Sequence, residues 1–354
     1  MDASRLPTRV AALLSRFDYF RGSQARHGGP CDHKEWQHFV VHTGSTSLLV
    51  NFNFVDEVEA GNAAVEVPRL VVLARRRAWD GDVERFDPSE VSAVPGRVDL
   101  VLGDNSLRLE RGSYRVVIAL RDRPIAAELV FTPCTVPALA NNQILSRERS
   151  LSWFFIPRLS ASGVISIGGE LEAVDHAPAY HDHNWGRFRW GEDFSWTWGS
   201  VVPDDPEDSL GVVCMRMADR GRHVSRSQSL SLWRGDAHPI VFRDRDLRIA
   251  TRGQLDPGPP RGRPLRLPRP MALLAPGRAH DIPAHVTFEG RSREGRVEMT
   301  FDADDLASLI VPSETDLRRV VTIHEVSGTA RLRGELHGKA LELEGKGVFE
   351  FVHP

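Results

Sequence analysis

Cysteine is nearly absent from this 354-residue chain, which has only Cys31, Cys134 and Cys214. An odd, sparse set without C-x-x-C spacing does not make a disulfide framework. It reads as three unpaired thiols in a reducing compartment. An excess of one charge is lacking too. Lys plus Arg is 45 and Asp plus Glu is 48, a formal net charge of −3. Nothing in that balance argues for a nucleic-acid surface, which would need a basic excess. No apolar run approaches the ~18 residues of a membrane span. The N-terminal stretch from Leu6 to Leu14 is too short and too interrupted for a secretory leader. A cytoplasmic location is expected, with docking on a membrane surface left open. Missing as well are a G-x-S-x-G elbow, a G-x-G-x-x-G run opening a helix and a Walker-type loop. Neither a nucleophile elbow nor a nucleotide cofactor is expected, and no repeat of fixed short period occurs.

What is present is an ordinary globular balance, 41% hydrophobic and 26% charged, enough for a core of normal size. The length suggests about two domains. Residues 7–19 read as an amphipathic helix with Val10, Leu13, Leu14 and Phe17 on one face. Beyond it the period changes to two. Residues 36–42 and 48–54 predict a hairpin, and further strands are expected at 69–74, 97–102, 107–111, 114–120 and 125–132. Gly168-Gly169 reads as a turn between strands. A second block of strands spans about 195–250, and a third set falls at 285–288, 296–301, 319–324, 328–336 and 340–352. A short helix is expected at 303–310, capped by Asp302. The stretch 253–283, rich in Pro, Gly and Arg, predicts a long surface loop. Short strands at even spacing argue for barrels rather than βαβ units. The expected division is a helix and linker at 1–30, one barrel at 31–190 and a second at 191–354.

The stretch richest in chemistry is Tyr180-His181-Asp182-His183-Asn184-Trp185-Gly186. Five of the eight tryptophans (Trp153, Trp185, Trp190, Trp196 and Trp198) lie within or near it, a crowding that points to a local aromatic wall. Strand alternation puts Tyr180, Asp182 and Asn184 on one face and His181, His183 and Trp185 on the other. A carboxyl turned into an apolar setting raises its pKa and stays protonated, which makes Asp182 a candidate general acid. Aromatic faces stabilise a developing cation. The plainer alternative is that Asp182 and Asn184 cap a turn and Gly186 marks a bulge. His181 and His183 form an H-x-H pair that two metal ligands could share, but no third ligand is evident beyond His176, so no metal is assigned. His38 and His42 share a strand face with Trp36 and Val40 near them. They line a polar pocket or sit as hydrogen-bonded residues of a half-buried strand.

The Tyr180–Gly186 run resembles the central signature of the superfamily that includes carotenoid 1,2-hydratases (hydroxyneurosporene synthases), AttH-type lipocalin-like proteins and two-barrel pericyclases. Glu35-Trp36-Gln37-His38-Phe39, Gly103-Asp104-Asn105-Ser106, Trp153-Phe154-Phe155-Ile156-Pro157, Trp196-x-Trp198 and the run from Gly345 to Glu350 are similar to further stretches of the family. The resemblance covers about residues 33–354. It implies a mainly β fold of two lipocalin-like (calycin) antiparallel barrels packed together, with a short N-terminal helix. It also implies a proton-donor role for Asp182, supported by Tyr180, and a substrate-facing role for Trp153. The family's histidine near that tryptophan has no counterpart, because Leu151 and Ser152 stand there. His38, His181 or His183 would have to supply a group for water.

The function these readings favour is a cofactor-free enzyme acting on a hydrophobic polyene or terpenoid. Asp182 and Tyr180 carry the chemistry, and Trp36, His38, Trp153, Asn184, Trp185, Trp196 and Trp198 contact the substrate. Alkene protonation would be followed by water addition or ring closure. The alternatives are a natural-product cyclase or pericyclase on the same scaffold, and a non-catalytic lipid- or pigment-binding protein. The expected partner is a hydrophobic small molecule.

Overall fold

The computed structural model describes residues 8–21, 33–58, 64–255, 266–267, 282–313 and 319–353. Most of the Pro/Arg-rich stretch lies outside the described residues, as do Cys31 and the linker around it. The N-terminal amphipathic segment forms α1 (Thr8–Phe17), and Val10, Leu14 and Phe17 pack against the core of the first unit. Leu13, expected on that face, is turned outward at 41% exposure. Positions 10, 14 and 17 follow the i, i+4, i+7 stripe, and position 13 falls at its margin.

Twelve strands make the first sheet. They are β1 (His33–His42), β2 (Ser47–Val58), β3 (Ala64–Arg75), β4 (Trp79–Arg85), β5 (Val91–Ala93), β6 (Asp99–Leu102), β7 (Asn105–Glu110), β8 (Ser113–Ala119), β9 (Ile125–Pro133), β10 (Ala138–Ser146), β11 (Arg149–Ile167) and β12 (Glu170–Arg187). Their order is β4-β3-β2-β1-β12-β11-β9-β8-β7-β6-β5, with β10 beside β11. Ten more make the second sheet: β13 (Ser195–Pro203), β14 (Leu210–Ala218), β15 (Ser225–Arg234), β16 (Ile240–Arg243), β17 (Leu247–Arg252), β18 (Arg266–Leu267), β19 (His285–Ser292), β20 (Gly295–Pro312), β21 (Val320–Leu336) and β22 (Lys339–His353). These run β16-β15-β14-β13-β22-β21-β20-β19-β17, with neighbours in this order antiparallel and the two-residue β18 parallel to β20. The protein is therefore mainly β, built of two large antiparallel sheets and one short helix.

The chain divides into two compact units, one of residues 1–76 and 80–188, the other of 77–79 and 189–354. In the first, a single apolar cluster draws on α1 and on strands from β3 at one end of the sheet to β6 near the other. A flat sheet could not do this, so the sheet curls around its own core. The second sheet encloses its own cluster in the same way, from Phe242 of β16 to Leu247 of β17. Outer strands show the alternation expected of a half-buried sheet. β9, for example, buries Ile125, Ala127, Leu129, Phe131 and Pro133 and leaves Glu128, Val130 and Thr132 exposed. β1 differs, because every residue from His33 to His42 is buried, on both faces. That double burial is what allows polar groups on its outer face to be kept from water.

Several expectations resolve here. The hairpin of 36–42 with 48–54 is the β1–β2 pair. Gly168 and Gly169, with φ of 63° and 87°, form the two-residue turn between β11 and β12 that needs left-handed backbone at both positions. The helix expected at 303–310 is not formed. Those residues continue β20, pairing with β21 through a bulge between Ala303 and Asp305. Ala307 and Ile310 are buried on opposite faces of this strand, and the long ladder with β21 outweighs weak local propensity. The two strands expected at 319–324 and 328–336 are one, β21. The ends of the Pro/Arg-rich stretch meet, because Leu255 N–H donates to the Ile282 carbonyl at 2.8 Å.

Candidate functional site

β12 lies between β1 and β11, and its odd and even residues enter two different environments. The odd face, His181 and His183 with Ala179 and Trp185, points to the core of the first unit together with Phe39 and Val41 of β1. The even face carries Tyr180, Asp182 and Asn184.

On the even face the antiparallel register fixes the neighbours. Asp182 stands opposite His38 of β1 and Phe155 of β11, and Asn184 stands opposite Trp36 and Trp153. One strand further, Asn51 follows His38 and Asn53 follows Trp36. Directly opposed residues share a face, so these side chains form one patch. Asp182, Asn184, Trp36, His38, Trp153 and Phe155 are all buried. The Trp153 and Phe155 rings stack at 4.2 Å between centroids, and Trp36 meets Phe188 edge-on at 6.0 Å. Both Asp182 oxygens accept hydrogen bonds. Tyr180 Oη donates to Oδ2 at 2.9 Å and Asn184 Nδ2 donates to Oδ1 at 2.7 Å. Two buried amide oxygens on the same patch, Asn184 Oδ1 and Asn53 Oδ1, have no hydrogen-bond partner among the described residues. Burial, reinforced by the charge of His181, pushes the His38 pKa down to about 3 and keeps the ring neutral.

Gly186, at the end of the run, is not a bulge but a point of close approach. A Cβ there would lie 2.2 Å from the Ser150 carbonyl oxygen of β11. Gly186→Ala is expected to lower stability by about 1–3 kcal/mol, read as a reduced denaturant midpoint at unchanged slope.

The odd face carries a buried polar network that sequence reasoning missed. Asp18, just past α1, receives His181 Nε2 on Oδ2 and His183 Nδ1 on Oδ1, each at 2.9 Å. The Tyr114 hydroxyl donates to Asp18 Oδ2 as well. His183 Nε2 reaches Glu35 Oε1 at 3.0 Å, and His181 Nδ1 meets the His38 carbonyl at 3.0 Å. Glu35 accepts the Arg21 backbone N–H at 2.8 and 3.0 Å, and the Arg21 guanidinium lies 3.5 Å from the Trp185 ring centroid. Burial pushes the Asp18 pKa up, but His181 and His183 more than reverse it, so Asp18 ionises well below the usual carboxylate range. Burial pushes His183 down, but Asp18 and Glu35 outweigh it and hold the imidazole above its ordinary value. All four ring nitrogens of the H-x-H pair are thus engaged by protein groups, and His176 is exposed. Among the described residues no cluster of His, Cys, Asp or Glu has the arrangement of a metal site.

The structure therefore brings Tyr180, Asp182, Asn184, Trp36, His38 and Trp153 onto one patch. Trp185 lies on the opposite face with His181 and His183, as strand parity placed it, and sits under Arg21 rather than joining the Asp182 patch as the expected substrate contact. Trp196 and Trp198 belong to the second unit. They lie on the outer face of β13, where Trp198 stands opposite Glu350 of β22, itself opposite Glu325 of β21. Burial pushes the Glu350 pKa up to about 7, against the pull of its hydrogen bond with Glu325. A carboxyl raised in this way binds protons more tightly folded than unfolded. It leaves stability untouched below about pH 4.5 and costs up to about 3 kcal/mol above pH 7. Glu350→Gln is expected to raise the thermal midpoint at pH 8 and leave it unchanged near pH 4.5.

Comparison with solved structures gives the scaffold. The chain aligns with kievitone hydratase from Nectria haematococca at 14% identity, covering 91% of this chain and 89% of that one with a TM-score of 0.56. It aligns with an AttH-type protein from Nitrosomonas europaea at 15% identity, covering 93% and 95% with a TM-score of 0.62. The fold is that of the AttH-type lipocalin-like proteins. CghA bound to Sch210972 shares this fold at 13% identity, covering 92% and 89% with a TM-score of 0.54. No protein-family model and no curated protein sequence matches the chain. No helix among the described residues is long and apolar enough to cross a membrane.

Proposed function

We propose that the protein is a cofactor-independent, acid-catalysed enzyme acting on an unsaturated hydrophobic substrate, with Asp182 as proton donor. The observation that carries this reading is a buried carboxyl, held through both oxygens by Tyr180 and Asn184, on a patch walled by Trp36, Trp153 and Phe155.

Protonated Asp182 gives its proton to the hydrogen-bearing carbon of a trisubstituted alkene. The π pair forms the new C–H bond, and the tertiary cation left behind faces indole and phenyl rings that stabilise it through their quadrupoles. As the proton leaves, charge develops on the carboxylate, and the Tyr180 and Asn184 donors strengthen their hold on it. The stabilisation therefore grows toward the transition state. Water then adds to the cation and returns its proton to Asp182, giving a tertiary alcohol. If a second double bond captures the cation, a ring forms and the proton returns from carbon. His38 is the one candidate histidine on the Asp182 face. A neutral His38 ring and the amide oxygens of Asn184 and Asn53 supply acceptors that orient the water. By resemblance, a carotenoid-type polyene is the substrate to try first, and a named hydratase among the proteins of this fold supports hydration.

A second reading follows from Glu350. A carboxyl titrating near pH 7 beside Trp198 is also matched to general-acid work. Co-expression with lycopene, neurosporene and shorter isoprenoids, with mass analysis of extracts, separates these readings. Gain of one water that vanishes in Asp182→Asn but survives Glu350→Gln supports the first; the reverse pattern supports the second. An isomer of unchanged mass, still formed by both variants, marks a cyclase that only shapes its substrate. A molecule recovered unchanged marks a binding protein.

A further inference from the structure

The second unit contains a cavity of about 420 Å³ whose lining residues all lie between Thr197 and Phe351. None belongs to the patch around Asp182. Its floor is made by Cys214, Val286, Phe288 and Phe351, four members of the core cluster enclosed by the second sheet. Among the described residues the cavity lies at one end of that curled sheet. Its size falls within the roughly 300–1,000 Å³ of small-molecule sites.

The mouth is polar, with Arg216, Arg222 and His223 among its residues. Arg216 of β14, half-buried, stands opposite Thr197 of β13 and so points into the sheet's interior with Cys214. Its guanidinium donates one hydrogen bond, from Nη2 to the Arg222 carbonyl at 3.2 Å, and has no carboxylate partner among the described residues. A guanidinium keeps its charge and offers a planar fork of donors suited to a carboxylate. An apolar floor below such a fork selects an amphiphile with an anionic head. We infer that the second unit holds a separate binding site for a carboxylate amphiphile, its apolar body on Phe288, Phe351 and Val286 and its head on Arg216. This site is independent of the chemistry at Asp182, and neither proposal needs the other.

Calorimetric titration of the full chain with decanoate, and with decanol as the uncharged comparison, tests the proposal. One equivalent of decanoate is expected to bind, more tightly than decanol. Arg216→Gln is expected to weaken decanoate by about ten-fold or more, the worth of a charge-assisted hydrogen bond, and to leave decanol unchanged. Thr251→Trp, an exposed substitution at the mouth, is expected to weaken both ligands. Failure of decanoate to bind, equal decanoate affinity in Arg216→Gln, or undiminished binding in Thr251→Trp overturns it. Thermal melts of both variants establish that they are folded.

Discussion

Asp182→Asn is expected to lower turnover by about 10²–10⁴-fold, the usual worth of a positioned general acid, with little change in KM or in thermal midpoint. The substitution keeps shape and hydrogen bonding. An amide oxygen at position 182 still accepts from Asn184 Nδ2, and an amide nitrogen can donate to the Tyr180 hydroxyl, which is able to accept. What is lost is the transferable proton. Tyr180→Phe removes one donor to the developing carboxylate and is expected to cost less, about ten-fold in kcat. Steady-state kinetics on whichever substrate the co-expression panel identifies checks both values. A loss confined to KM would place Asp182 in substrate binding rather than in proton transfer.

Asp18→Asn is expected to destabilise the protein by about 3–5 kcal/mol, because it removes the anion between two buried histidines and a buried tyrosine. For a unit of this size that is roughly a 6–20 °C fall in thermal midpoint. The penalty depends on pH in a defined sense. A carboxyl with depressed pKa contributes stability present above about pH 4 and lost as the pH falls through its folded value. An imidazole with raised pKa contributes stability present below about pH 6.5 and lost as the pH rises through its folded value. Asp18 is of the first kind and His183 of the second. The difference in midpoint between wild type and Asp18→Asn should therefore be largest between about pH 4 and 6.5 and shrink on either side. Melts across that range check it. A difference that stays constant into the alkaline range would mean that the His183 proton does not contribute.

The parts of the fold legible from residues alone are those with local signals. The period-two runs of β1, β2, β8 and β9 and the Gly168-Gly169 turn need only neighbours along the chain. The Asp182 row was legible for the same reason, since strand parity alone separates Tyr180, Asp182 and Asn184 from His181, His183 and Trp185. Parity could not say which face meets the core. That depends on β1, distant in sequence, pairing with β12 and on what the rest of the sheet brings to each face. Asp18 and Tyr114 escaped notice because nothing near them in sequence marks them. Asp18 looks like the end of an amphipathic helix, and Tyr114 like the first inward residue of an ordinary strand. Glu35 lay inside a familial stretch without a role until its carboxylate met His183. Glu325 and Glu350 are each one acidic residue in an alternating strand, and only the β21–β22 register makes them a pair.

The central claim is that Asp182 delivers a proton to carbon. Purified protein incubated with its polyene substrate in deuterium oxide tests this directly, with products read by mass spectrometry beside Asp182→Asn. Wild type is predicted to give a hydrated or cyclised product carrying one deuterium on carbon, and the folded Asp182→Asn variant to give almost none. Product formed at an undiminished rate by Asp182→Asn, or product free of carbon-bound deuterium, would contradict it.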